Sequence, residues 1–136
     1  MSKTFHLRVY EANSTFCEGE AELVVIPTVD GEYGVMAHHE NIVVSIIPGQ
    51  MKYRMAGEET QYASVSSGMI RVENNDVLVL VESAERPDEI DEKRAEEEES
   101  MAKEAMLQKR SMQDYVLAEA TLQRAMSRLK VKRKTL

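Results

Sequence analysis

Two hydrophobic periods divide the chain. Over residues 4–83 apolar positions recur at every second residue or in short unbroken runs. Phe5, Leu7 and Val9 alternate with His6 and Arg8, and Met51, Tyr53 and Met55 alternate with Lys52 and Arg54, the mark of a strand with one face on a core. The runs Leu23-Val24-Val25-Ile26, Val43-Val44-Ser45-Ile46-Ile47 and Val77-Leu78-Val79-Leu80-Val81 are expected as strands buried on both faces or simply rich in β-branched residues. Turn formers fall between them: Pro27 with Asp30-Gly31, Pro48-Gly49, Gly57, Ser67-Gly68 and Asn74-Asn75-Asp76. Short strands at such regular spacing, with no helical stretch between them, predict an antiparallel β-sandwich or barrel over residues 1–84.

After Pro87 the period lengthens. Residues 88–106 contain no Gly or Pro and are rich in Glu, Lys, Ala and Met, which favours helix. The apolar stripe of that helix (Ile90, Ala95, Met101, Ala102, Ala105) is thin and is interrupted by Glu96-Glu97-Glu98-Glu99. A second helix is clearer. Ser111-Met112-Gln113-Asp114 resembles a capping box, and Tyr115, Ala118, Leu122, Ala125 and Leu129 then recur at spacings of three and four, as one buried face requires. A turn at residues 109–111 would make the two an α-helical hairpin over residues 85–136. The expected fold class is therefore α+β, an N-terminal antiparallel β-sandwich followed by a C-terminal antiparallel α-helical hairpin.

Charge sharpens this division. The formal net charge is -7. Residues 1–84 carry 5 basic and 12 acidic side chains, whereas residues 85–136 carry 12 of each, so the whole excess belongs to the first half. Within the second half, residues 85–104 hold ten carboxylates and residues 124–134 hold six basic groups and no acid. In an antiparallel hairpin the basic end of the second helix lies beside the acidic start of the first, and the blocks satisfy each other. An acidic chain argues against nucleic acid as the main partner. The single cysteine, Cys17, rules out an internal disulfide and fits a reducing compartment. No run is long and apolar enough to insert in a bilayer and the first residues lack an apolar signal core, so a soluble intracellular chain is expected.

Candidate chemistry is sparse. There is no phosphate loop, nucleophile elbow or His-Glu-x-x-His, and Cys17 stands among acidic residues that disfavour a thiolate. His38-His39-Glu40 has no further His or Cys nearby and reads as a surface loop; His6 reads as an exposed or hydrogen-bonded structural histidine. Asp91 and Arg94 would share a helix face as an i,i+3 ion pair. Arg124 and Arg128, four apart, would clamp a phosphate or an acidic helix, or else pair with Glu89, Glu92 or Glu96. A catalytic site is not expected.

Taken in order, several strings resemble one family: Thr4-Phe5-His6-Leu7; Phe16, Gly19 and Ala21-Glu22; Gly31-Glu32-Tyr33-Gly34-Val35 leading to His39; Pro48-Gly49; Val65-Ser66, Gly68, Ile70 and Val72; residues 77–84 followed by Glu85; Ile90-Asp91 with Arg94-Ala95; Asp114-Tyr115; and Leu122, Arg124-Ala125, Arg128-Leu129 and Val131. Each is weak alone, but order and spacing together are specific. The chain is similar, over essentially its whole length, to the epsilon subunit of the F-type ATP synthase, called delta in mitochondria.

The resemblance implies a non-catalytic rotor (central-stalk) subunit at the cytoplasmic face of the bacterial membrane, peripheral to it. Its sandwich docks on the gamma subunit and the ring of c subunits, with Glu32 and His39 in the loop that meets the c ring. Its hairpin is the regulatory element. Extended, it directs the basic strip Arg124, Arg128, Lys130, Lys132, Arg133 and Lys134 at acidic segments of the beta (and alpha) subunits and blocks ATP hydrolysis. Folded, in some bacterial members, it binds ATP; here the matching positions are Glu85, Ile90, Asp91, Arg94, Ala95, Arg124 and Arg128. No cofactor is required, and ATP is expected at most as a weak regulatory ligand, because a further arginine of the best binders stands here as Met101. Two other departures fall in turns, Ala37-His38 where the family usually has Pro-Gly and Ser66-Ser67-Gly68 where it has Ser-Gly-Gly. The alternative is a β-sandwich adaptor whose hairpin docks another helical protein.

Overall fold

The computed structural model describes residues 3–108 and 112–134. Nine strands form one hydrogen-bonded sheet that wraps into a sandwich: β1 (Phe5–Tyr10), β2 (Thr15–Thr28), β3 (Gly31–Val35), β4 (Ile42–Ile46), β5 (Gly49–Met55), β6 (Gln61–Val65), β7 (Gly68–Glu73), β8 (Asp76–Val81) and β9 (Ala84–Glu85). The order is β4-β7-β8-β1-β2-β5-β6-β9, with β3 beside β2. Strand β2 joins the two layers. Its first part pairs β1 (Ala21 opposite Phe5) and its second pairs both β3 and β5 (Val24 opposite Val35 and Tyr53), with a register shift between Ala21 and Leu23. Such irregularities bend a strand and let one sheet close on itself.

Alternate residues of these strands fill one core. Phe5, Leu7, Val9, Val24, Ile26, Met51, Ile70, Val77 and Val79 are all buried. The period-two reading of β1 and β5 holds. One expectation changes and one open alternative is decided. The β1–β8 ladder is parallel, His6 opposite Asp76, whereas the other ladders are antiparallel. The long apolar runs are also not covered on both faces: Val43 is 61% and Leu80 38% exposed. Strand β4 ends the sheet order, and among the described residues no layer lies over its outer face.

Two turns carry the left-handed non-glycine residues among those described. His38 has φ 62°, and its N–H donates to Asn75 Oδ1 at 2.7 Å. This is the position at which a glycine is usual in the family it resembles, and the histidine adopts the glycine's conformation. Asn74 and Asn75, at φ 50° and 64°, form the β7–β8 turn, as asparagine tolerates. Ser67 has no such conformation, so a serine in place of the usual glycine costs nothing there.

The hairpin begins later than its composition suggests. Pro87–Glu89 is one turn of 3-10 helix, and α1 runs over Glu92–Gln108. Asp91 is its N-cap: Oδ1 accepts the Arg94 N–H at 3.2 Å. Of the expected stripe Ile90, Ala95 and Ala102 are buried, while Met101 is 69% exposed and Ala105 is exposed. Helix α2 (Met112–Lys134) buries Ala118, Ala125, Leu129 and also Ser127 and Val131. The proposed turn at residues 109–111, with the Ser111 cap, lies outside the described residues.

Candidate functional site

Acid and base meet where α2 passes α1 and β9. Arg128, 14% exposed in its side chain, lies between two carboxylates. Its Nη2 donates to Glu85 Oε2 at 3.1 Å and its Nη1 to Glu98 Oε2 at 3.2 Å. Its Nε is 2.9 Å from Glu85 Oε1 but is not aimed for a hydrogen bond, so that contact is purely electrostatic. Arg94, from α1, approaches the same Glu98 carboxylate, Nε to Oε1 3.4 Å. Lower on the hairpin Arg133 bonds Glu92 at 3.0 Å and Glu96 at 2.8 Å. The pairs Glu92–Arg133 and Glu98–Arg128 ascend one helix while descending the other, which is the antiparallel arrangement that the charge order predicts.

Two specific pairings expected from sequence are replaced. Asp91 and Arg94 do not form an i,i+3 ion pair; the carboxylate caps the backbone and the guanidinium turns to Glu98. Arg128 pairs with Glu85 and Glu98 rather than Glu89, Glu92 or Glu96, because helix rotation and β9 decide which carboxylates it faces. Arg124 is exposed and, among the described residues, forms no ion pair. The positions matched to nucleotide binding are thus only partly assembled. Ile90 and Ala95 are buried under the hairpin, Glu85, Arg94 and Arg128 converge on one another, and Asp91 is engaged at the helix end.

The basic strip is largely occupied by the chain itself. Besides Arg128 and Arg133, Lys134 Nζ sits 4.6 Å from the Tyr62 ring centroid on β6, a cation–π contact. Lys132 is also engaged, and Lys130 is exposed beside a cleft of about 390 Å³ that Pro27, Glu32, Gln50, Gln123 and Met126 help to line. Helix α2 is fastened to β6 by Ser127, whose Oγ is 2.9 Å from Ser64 Oγ. The hairpin is therefore in its folded position.

Glu32 and His39 are held differently. Glu32 is exposed on β3 opposite Pro27. His39 is fixed by Tyr33 Oη, 3.0 Å from Nε2, and by the Glu40 carbonyl, 2.7 Å from Nδ1. His38 and Glu40 are exposed in the same loop, as expected of a surface segment. His6 lies 3.6 Å from Glu20. Burial pushes the Cys17 thiol up to about 11 against the opposing pull of Arg86, consistent with an inert cysteine. Arg86 itself stacks over Phe16 at 4.1 Å and donates to its carbonyl at 2.6 Å, anchoring the link between sandwich and hairpin.

Sequence reasoning missed Glu98 and Ser127. Each had a local signal: Glu98 follows Arg94 by four, and Ser127 precedes the buried Val131 by four, so each shares a helix face with a residue that matters. No helix among the described residues is long and apolar enough to cross a membrane.

A β-sandwich carrying a helical hairpin, with Arg128 and Arg133 paired to the chain's own carboxylates, defines a small two-part protein. Family models agree with that class. The ATP synthase delta/epsilon chain β-sandwich domain matches residues 4–87 and the delta/epsilon long α-helix domain matches residues 88–133. The chain belongs to the ATP synthase delta/epsilon chain family. It is 36% identical over 132 residues to the ATP synthase epsilon chain of Caldanaerobacter subterraneus subsp. tengcongensis, covering 96% of this chain and 95% of that relative. It is 38% identical over 128 residues to that of Shouchella clausii, 94% of each. Its fold matches a chain in the cryo-EM structure of the Euglena gracilis mitochondrial ATP synthase (OSCP/F1/c-ring, rotational state 1) with TM-score 0.84, at 20% identity over 96% of this chain and 81% of that one.

Proposed function

We propose that this chain is a non-catalytic rotor subunit of an F-type ATP synthase, peripheral to the cytoplasmic face of a bacterial membrane. Its sandwich couples the gamma subunit to the c ring, with Glu32 and His39 on the c-ring side. Its hairpin restrains ATP hydrolysis by extending toward the beta and alpha subunits. The observation that carries this reading is the charge exchange built into the hairpin. Arg128 and Arg133 are satisfied by Glu85, Glu98, Glu92 and Glu96 in the folded form, and only acidic surface of a partner would compensate them when the hairpin leaves. Reconstitution tests it. The chain is expected to bind gamma stably, and replacing Arg124, Lys130 and Arg133 with Gln is expected to raise ATP hydrolysis by the assembled enzyme while leaving assembly intact. Failure to bind gamma removes the reading.

ATP is proposed as a weak ligand of the folded hairpin, through Arg94, Arg124 and Arg128 near Ile90, Asp91, Ala95 and Glu85. Arg124, exposed and without an ion pair among the described residues, and the guanidinium groups of Arg94 and Arg128 support it. Millimolar ATP is expected to protect amides of residues 90–95 from hydrogen exchange in the isolated protein, and Arg124→Ala to abolish that protection.

A further inference from the structure

Two guanidinium groups from different helices converge on one carboxylate. Glu98 offers Oε1 to Arg94 Nε at 3.4 Å and Oε2 to Arg128 Nη1 at 3.2 Å. Arg94 is 73% exposed in its side chain and Arg128 only 14%. The clasp thus has an open side and a deep side, and the group it holds bridges α1 to α2. A carboxylate in such a position does what a phosphate would do: it accepts a hydrogen bond from Arg128 through one oxygen and faces the Arg94 charge with the other. Glu85 remains on the other flank of Arg128, so Glu85, Glu98, Arg94 and Arg128 sum to zero charge. Without Glu98 the cluster would carry +1, with Arg94 and the Nη1 face of Arg128 both unsatisfied.

We propose that Glu98 is an internal anion that fills a polyphosphate site between Arg94 and Arg128, closing the hairpin without a ligand. This rests on the nucleotide reading above and sharpens it: an ATP phosphate reaches the clasp only by displacing Glu98, and the chain's own carboxylate sets how weakly the nucleotide binds. The same displacement exchanges one α1–α2 bridge for another, so a bound polyphosphate leaves the hairpin closed.

The test uses the full chain as wild type, Glu98→Gln, Glu98→Gln with Arg128→Ala, and Glu97→Gln. Glu97 is the exposed neighbour without an ion pair among the described residues, and its neutralisation changes net charge equally. ATP and inorganic tripolyphosphate are titrated by calorimetry, and hairpin closure is read from amide exchange over residues 125–131. Glu98→Gln is expected to bind tripolyphosphate about tenfold more tightly than wild type, the effect of freeing a charge-assisted contact. Glu97→Gln is expected to stay within about twofold of wild type, and adding Arg128→Ala to abolish the gain. Without ligand, Glu98→Gln is expected to exchange faster over residues 125–131 and to be restored by tripolyphosphate. Equal affinity of wild type and Glu98→Gln, or an equal gain in Glu97→Gln, overturns the proposal while leaving ATP binding itself standing. A gain for tripolyphosphate with no response to ATP in any variant supports the internal anion and removes the nucleotide. A Glu98→Gln hairpin as closed as wild type and indifferent to both anions overturns the proposal outright.

Discussion

Ser64 on β6 and Ser127 on α2 share a hydrogen bond of 2.9 Å with both residues nearly excluded from solvent, at 4% and 6% exposure. It is a polar fastener in an otherwise apolar seam, beside Ala125, Leu129 and Val131. Removing one hydroxyl strands the other. Ser64→Ala and Ser127→Ala are each expected to destabilise hairpin docking by ~1–2 kcal/mol, whereas the double substitution, which leaves no stranded donor, is expected to cost less than their sum. Amide exchange of α2 in the four proteins of the cycle measures the coupling. Additive losses would mean that the two hydroxyls act separately.

Arg128 and Arg133 each bridge two carboxylates, yet burial separates them: their side chains are 14% and 54% exposed. Exposed pairs gain little because water screens them. Arg128→Ala strips Glu85 of its cation and leaves Glu98 with only the exposed Arg94, and is expected to weaken docking by about 2 kcal/mol. Arg133→Ala is expected to be barely measurable, and added salt to erase its effect first. Exchange rates over residues 125–131 at low and high ionic strength distinguish the two.

The charge order revealed the antiparallel hairpin because opposite blocks must meet somewhere, but it did not reveal which carboxylate each arginine meets. Glu98 rather than Glu96 faces Arg128 through the rotation of α1, and Glu85 arrives from β9; neither is a property of spacing along one helix. The sandwich was similarly half legible. Alternation in β1 and β5 reports local burial, whereas the parallel β1–β8 pairing and the bare outer face at Val43 depend on the order in which strands assemble. The N-cap role of Asp91 was hidden for a simpler reason: composition favours helix from residue 88, and only backbone geometry shows that Pro87 starts a separate 3-10 turn.

Cys17 makes a prediction in alkali. Its thiol is held up at about 11 against an ordinary value of 9.0, chiefly by burial. Between those values the unfolded chain surrenders a proton that the folded chain keeps. Stability is therefore unaffected by this group below pH 9 and falls as pH rises toward 11. The buried Tyr53 phenol, also pushed upward mainly by desolvation, adds to the decline at higher pH. Denaturant titrations from pH 8 to 11 are expected to show a shallower fall in Cys17→Ala than in the wild-type chain. At pH 8, alkylation of Cys17 in the folded protein is expected to be about a hundredfold slower than of a free thiol, in proportion to the thiolate fraction.

His38 tests the loop that follows β3. At φ 62° a β-branched residue is strained and glycine is not. His38→Gly and His38→Val both lose the imidazole, so their difference isolates the backbone. The glycine variant is expected to be more stable than the valine variant by ~1–2 kcal/mol. Equal melting temperatures would show that the loop relaxes to another conformation and that the bond from His38 N–H to Asn75 does not hold it.

Gly68, at the start of β7, opposes Val81, and a Cβ placed on it would overlap the Leu80 carbonyl. The clash is with backbone at the end of the β7–β8 ladder, so no side-chain rotation relieves it. Either β7 separates from β8 or both strands shift, and the shift would carry the buried Ile70 and Val79, which pair across that ladder, out of register with the core. Gly68→Ala is accordingly expected to cost about 3 kcal/mol or more, in the range of core overpacking. The preceding Ser67 is a sharp contrast. It is exposed and has no left-handed backbone, so Ser67→Gly, which restores the usual family residue, is expected to leave the unfolding midpoint nearly unchanged or slightly lowered by the added freedom of the unfolded chain. Urea unfolding of the two variants decides the matter: a mild Gly68→Ala would mean that the two strands yield at this crossing.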